Sequence, residues 1–354
     1  MSIYQGLSPR DRQSFDMKLK FQRFPHFFNR KMKPFNDFAY VKAVEVRNVL
    51  FYGFLPLGLE FIDVERLSHF ALFICAIRLY HSQPPMFGND TPNMANKMFE
   101  EYYKDQSRFY KSIQNYTLHM HYHFADQYFR YGSLANIGCF GQEDLIGHIG
   151  SKIHGTRYYG DLIVNYYNVD FQLMNKTRDK KYQVISEGID LNEHFTMSDY
   201  PLVVQHHDKL CGCSEIMKCL MVYRRCVVRN NIFHSLLYKR RVKSNSYFIS
   251  YWKSMNTDIN KFYGQIVLFF RHSNVTYAMI QCFPKKKKFS YVFRSSCYYP
   301  LLKKPLDNCF SILCRDSPEI FDIVNINNIQ KHCIVFDFKQ ELVVTEISAY
   351  HEHD

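Results

Sequence analysis

Three groups of residues in this chain have types and spacings that could do chemistry. The first is the acidic pair Glu143-Asp144, at the expected start of a helix that closes on His154-Gly155-Thr156-Arg157. At 3.6 residues per turn, Glu143, Gly147, Gly150 and His154 share one face, and Leu145, Ile149 and Ile153 share another. The apolar face can pack into a core. The first face carries a carboxylate on a stripe without bulk, which a ligand or a second backbone could approach closely. That suits a catalytic or metal-binding acid, although a Glu in a first helical turn is also ordinary dipole chemistry.

The second group is His119, His121 and His123. A helix brings His119 and His123 together at i and i+4, whereas a strand puts all three on one face. No further ligand follows at a metal-binding spacing, so packing and hydrogen bonding compete with the metal reading. The third group, His206-His207, Cys211-Gly212-Cys213 and Cys219, is the densest cluster of soft ligands. Zinc takes four ligands, commonly from Cys-x2–4-Cys knuckles, and Cys-x-Cys is tighter than that. Zinc on Cys211, Cys213 and Cys219 therefore stands against buried or incidental thiols. No glycine-rich phosphate loop and no Gly-x-Ser-x-Gly element is present.

Basic residues form a different kind of candidate. Arg224 and Arg225, the run Lys239, Arg240 and Arg241, and the run Lys285, Lys286, Lys287 and Lys288 flank strand-like segments. As phosphate contacts they would be indifferent to sequence and sensitive to salt. As ordinary solvated turns they would do neither. The lysine run also has the composition of a nuclear import signal. The whole chain leans the same way: 45 Lys+Arg against 33 Asp+Glu gives a formal charge of +12 in 354 residues. An acidic partner, DNA first, is the natural expectation.

These candidates need elements to position them. Residues 1–35 read as a basic aromatic leader, either an extended arm or packed. Residues 36–170 read as helical, with helices over VKAVEVRNVLFYG, ERLSHFALFICAIRLY and ANKMFEEYYKDQSRFYKSI, the second apolar nearly all round. Thr91-Pro92-Asn93 is the start signal of the third. Residues 171–220 read as a linker. From 221 to 354 short runs rich in Val, Ile, Tyr and Phe (MVYRRCVVR, SYFISYW, YGQIVLFFR, VTYAMIQCF, FSYVFR, HCIVFDF, ELVVTEI) are separated by turn residues, which predicts strands. The expected fold class is α+β, a mostly helical region followed by a C-terminal antiparallel barrel or sandwich. The apolar stretches are too short to span a bilayer, no secretory signal opens the chain, and eleven irregularly spaced cysteines read as reduced thiols. A soluble protein of the nucleus, or of the cytoplasm if import is lost, is the expectation.

Several segments in order resemble the transposases of animal CACTA (EnSpm-like) DNA transposons. They are KAVEVRN with FYG and Pro56, SHFALFICAIRL, His119 and His123 with Tyr131-Gly132 and Leu134, the block Phe140–Gly147, His154-Gly155-Thr156-Arg157, and the later IFHSLLYKRRVKSNSYFISY and YGQIVLFF. The resemblance covers roughly residues 24–170 and 225–345. It implies an RNase H-like catalytic domain in which three carboxylates hold two Mg²⁺ or Mn²⁺ ions, with Glu143 as the third acid. Gly141, Gln142 and Ile146 depart from the family's block. The two aspartates should precede the helical insertion, yet only about forty residues lie before it here, without a strand–Asp–strand pattern. One Glu with Asp144 about 100° around the helix cannot replace them. The expectation is a truncated or degenerate transposase-derived protein that keeps DNA binding or association with full-length transposase or with itself, and does not cut DNA alone. The alternative is a host protein–protein interaction module built on the same fragment.

Overall fold

The computed structural model describes residues 6–28, 32–34, 36, 40–82, 84–110, 120–137, 140–151, 158–177, 182–184, 200–211, 219–229, 231–238, 244–255, 258–316 and 318–347. The fold class is α+β as expected, a helical N-terminal part followed by an antiparallel sheet. Compactness divides the chain along other lines than the helical and β halves. One unit takes residues 1–138, 284–317 and 333–350, and the other takes 139–283, 318–332 and 351–354.

The first unit is built on helices. Helix α1 (Pro9–Phe21) lies within the expected leader, started by Pro9 and capped by Ser8, whose Oγ accepts the Asp11 N–H at 3.1 Å. Phe15 and Leu19, four apart, are buried on its inner face. Helices α2 (Ala43–Asn48) and α3 (Phe54–Gly58) are joined by one π turn, Val49–Gly53. Helix α4 (Val64–Tyr80) is capped by Asp63, which accepts from Glu65 and Arg66 N–H. Leu67, Ala71, Leu72, Ile74, Cys75 and Leu79 are all buried, so α4 is covered all round as its sequence predicts. Helix α5 (Thr91–Lys104) begins at the expected Thr-Pro signal and ends before a single turn, α6 (Gln106–Phe109). The expected continuous helix through Ile113 therefore breaks at Asp105, and Ile113 lies outside the described residues.

FSYVFR, expected as a strand, is instead a 3₁₀ turn, Phe289–Phe293, followed by a helix, Tyr299–Cys309. The reason is visible in the burial. Phe289, Ser290 and Phe293 are buried while Tyr291 is exposed, a pattern that a helical turn satisfies and an alternating strand, which would put Tyr291 on the face of Phe289 and Phe293, does not. In this unit β8 (Lys285–Lys288), β9 (Phe310–Cys314), β12 (Glu341–Glu346) and Cys333–Phe338 pair in that order, all antiparallel.

The second unit is mostly sheet. Strand β5 (Phe248–Met255) pairs with β6 (Asp258–His272), β6 with β7 (Val275–Phe283), and β7 with β10 (Ile320–Asn325). Strand β5 also pairs with Ile329–His332, the start of the strand that continues into the first unit. MVYRRCVVR, expected as one strand, splits at Arg224. Leu220–Tyr223 (β2) pairs with the end of β6, while Arg225–Val228 (β3) forms a separate small sheet with β4 (Asn231–His234) and β1 (Tyr182–Val184).

Strand β6 is apolar on both sides because both are covered. Ile266 and Phe269 enter one core with Tyr251 and Ile280, and Leu268 and Phe270 enter a second with Val203, Leu220 and Val222. Val203 comes from a ten-residue helix, Pro201–Leu210, inside the expected linker 171–220. That stretch thus carries a packed element, because Val203 and His207 repeat at helical spacing and are both buried. Full burial of each such aliphatic or aromatic side chain contributes about 2 kcal/mol.

Candidate metal centre

The Pro201–Leu210 helix fixes where its own ligand-type side chains go. His206 turns its ring against Phe270 and Tyr277, at centroid distances of 5.9 and 4.8 Å. His207, one position on, is 1 % exposed. Cys211 follows it by four residues, and the Cys211 N–H donates to the His207 carbonyl at 2.7 Å, so one more helical turn brings the thiol under the imidazole.

Strand β6 delivers the next donor. Leu268, Phe270 and His272 alternate onto one face, the face covered by that helix. His272 is 5 % exposed, and its ring meets that of His207 edge-on at 5.7 Å. One nitrogen of His207, the Cys211 Sγ and one nitrogen of His272 all lie within 4.8 Å of one another. Antiparallel pairing supplies a fourth group. Leu220 is the β partner of His272, which sets the preceding residue, Cys219, beside the cluster. The Cys211 and Cys219 sulfurs are 3.9 Å apart.

His207 Nδ1 lies 3.4 Å from the exposed Asp208 carboxylate. His272 Nε2 and His206 Nε2 are buried without a hydrogen-bond partner among the described residues. Burial pushes the His206 ring below its usual titration range, with His272 and Lys209 adding to the effect. Two imidazoles and one thiol converge, with a second thiol against the first, and together they form a borderline-soft donor set.

No protein family matches this chain. Neither the curated proteins nor the solved structures contain a match for it. The site must therefore be read from its own geometry.

The structure brings together some of the residues singled out in the sequence and not others. Cys211 and Cys219 converge, and Cys213 lies outside the described residues. His272 was missed, because the sequence puts it 53 positions after Cys219 and only the pairing of β2 with β6 closes that gap. His119 lies outside the described residues, and His123 is exposed in a short 3₁₀ turn. Between them His121 stacks on Phe99 at 5.4 Å and hydrogen-bonds to the Tyr103 hydroxyl, which is packing.

Glu143 belongs to the helix Phe140–Ser151, but its side chain lies outside the described residues. Among the described residues, a methyl group added at Gly147 or Gly150 of that helix would meet nothing within 4 Å. Among the described residues the His/Cys cluster is the one grouping of ligand-type side chains close enough to hold an ion. Among the described residues no trio of carboxylates lies close enough to hold an ion.

The basic residues also separate. Arg224 is exposed, and the Arg225 guanidinium lies 4.9 Å over the ring of Tyr238. Lys239, Arg240 and Arg241 fall outside the described residues. Lys285–Lys288 form an exposed edge strand in the first unit, where Lys286 and Lys287 each approach Glu341 Oε1 at 3.1 Å. Burial opposes ionisation of Glu341, yet Lys287 and Lys286 hold its carboxyl below the usual range. Lysines on an edge strand also block pairing with other chains, which is a structural role. No helix among the described residues is long and apolar enough to cross a membrane.

Proposed function

We propose that this chain is a transposase-derived protein that associates with nucleic acid and has no strand-cleaving chemistry of its own. The observation that carries the reading is the pair Arg224 and Arg225. Arg224 is exposed, the Arg225 guanidinium lies 4.9 Å over the Tyr238 ring, and neither makes an ion pair with an acid among the described residues. Guanidinium on an aromatic ring, next to a second, exposed cation, is a surface on which a phosphate can sit and a base can stack. The formal charge of +12 and the ordered motifs from KAVEVRN to His154-Gly155-Thr156-Arg157 support the same reading. Glu143 then marks descent from a three-carboxylate site, which would take up Mg²⁺ or Mn²⁺ only where two further aspartates are supplied.

Fluorescence anisotropy of labelled single-stranded and duplex DNA against the full chain, over a salt series, tests this. The expected result is binding at low salt whose affinity falls linearly on logarithmic axes, and about tenfold weaker binding for Arg224→Ala/Arg225→Ala. Absence of binding at low salt would contradict it.

A second reading, a protein–protein module, is favoured by the helix Tyr159–Thr177, which leaves Val164 60 % and Tyr167 51 % exposed. Partners recovered with the full chain after nuclease treatment would favour it over nucleic-acid association.

A further inference from the structure

We infer that the second unit holds one zinc ion, bound by His207, Cys211, Cys219 and His272 in a closed structural site. This goes beyond the nucleic-acid reading and does not depend on it. Two independent features point to an ion. The first is the spacing of the donors. A tetrahedral zinc with two thiolates at about 2.3 Å separates its sulfurs by about 3.8 Å. The two thiols here stand 3.9 Å apart, too far for a disulfide and close to a shared-metal edge. The donor atoms of His207, Cys211 and His272 lie within 4.8 Å of one another, so each can reach a common tetrahedral centre by closing in by less than about 1 Å. Cys219 enters through its contact with Cys211 and its place beside His272 in the β2–β6 ladder.

The second feature is an unmet need. His272 is 95 % buried by its 5 % exposure, and its Nε2 has no hydrogen-bond partner among the described residues. A buried imidazole nitrogen without a partner loses its hydration and gains nothing in exchange. Coordination supplies the partner.

The chemistry selects the ion. Two thiolates and two neutral imidazoles at tetrahedral spacing suit zinc, whereas calcium and magnesium demand oxygen. With four protein ligands no position remains open for water, so the ion braces the fold and does not activate a substrate. It would tie the end of one helix to the ends of two paired strands, β2 and β6, adding to the small core around Val203, Leu268 and Phe270.

Metal content and cobalt(II) substitution of the full chain test the assignment. Protein purified without added metal should carry one equivalent of zinc. Stripped protein titrated with cobalt(II) should develop the intense visible bands of a tetrahedral site and a near-ultraviolet charge-transfer band sized for two thiolates. Cys219→Ser should lose one thiolate's share of that band, and His272→Ala should bind cobalt(II) at least tenfold more weakly. The buried cysteine variant Cys333→Ser should leave both unchanged. Protein free of zinc that also develops no tetrahedral cobalt spectrum would overturn the inference, even if a ligand variant fails to fold. So would iron or copper in stoichiometric amount, or a spectrum indifferent to both Cys219→Ser and His272→Ala.

Discussion

His69 in the first unit and His272 in the second are both buried, and they differ in what satisfies their rings. His69 has a partner on each nitrogen: Nε2 lies 2.9 Å from the Tyr102 carbonyl and Nδ1 lies 3.3 Å from the Tyr110 hydroxyl. Its ring stacks between Tyr102 and Phe109 at 4.7 and 4.4 Å. Burial lowers its pKa to about 4, with the Tyr102 carbonyl working in the other direction, so it stays neutral at physiological pH. The protein alone accounts for that residue. His272 has a packed environment too, but one of its nitrogens lies within 4.8 Å of donor atoms of His207 and Cys211, and its Nε2 has no hydrogen-bond partner among the described residues. A buried polar atom with its hydrogen bonds made needs nothing from outside the chain. One packed against other metal ligands needs a further atom to complete it.

The largest effect that could break this contrast is removal of a ligand in the second unit. Cys211→Ser should lower the melting midpoint of the full chain by roughly 10 °C, since structural zinc contributes several kcal/mol of folding free energy. A chelator should bring the natural chain to the same midpoint and leave the variant where it is. Equal chelator sensitivity of both would refute the link.

Next in size is His69, where no metal dependence is expected. His69→Ala opens a cavity among aromatic rings and strands the Tyr102 carbonyl, costing about 3 kcal/mol. The pH dependence follows from the depressed folded value. The unfolded ring titrates near 6.5 and the folded one at about 4, so the unfolded chain binds more protons in that window. Stability from neutral His69 is complete above about pH 6.5 and falls by up to roughly 3 kcal/mol as the pH drops towards 4. Amide exchange in α4 and α5 between pH 7 and 4.5, corrected for intrinsic rates, reads this directly. His69→Phe should flatten it, and an unchanged slope would sink the explanation.

The smallest effect sharpens the contrast at the level of ordinary local structure. Asp63→Ala removes the cap that accepts from two N–H groups of α4 and should cost about 1 kcal/mol, with or without zinc, by urea titration. A cost that appears only with zinc present would mean the two effects are coupled.

How far the sequence discloses this molecule depends on whether a signal is local. Helix α4, the Thr91-Pro92 start of α5 and the long strands β5 to β7 were readable because their apolar periods and caps lie within one segment. FSYVFR has the aromatic composition that favours strands, while burial of the adjacent Phe289 and Ser290 with Tyr291 exposed belongs to a helical turn and shows only in the packed structure. The site was half legible. His206-His207, Cys211 and Cys219 stand out as one cluster, and the four-residue interval from His207 to Cys211 is helical spacing within a single segment. His272 depends on the register that sets Leu220 against it, a long-range pairing that composition does not encode.

Hydrogen exchange of the full chain with and without a zinc chelator tests the central contrast most directly. The account predicts faster exchange on chelation in the helix Pro201–Leu210, in β2 and at the β6–β7 end near His272. Exchange in α4 and α5 around His69 should not change. Exchange unaffected by the chelator everywhere, or accelerated equally in both units, would contradict it.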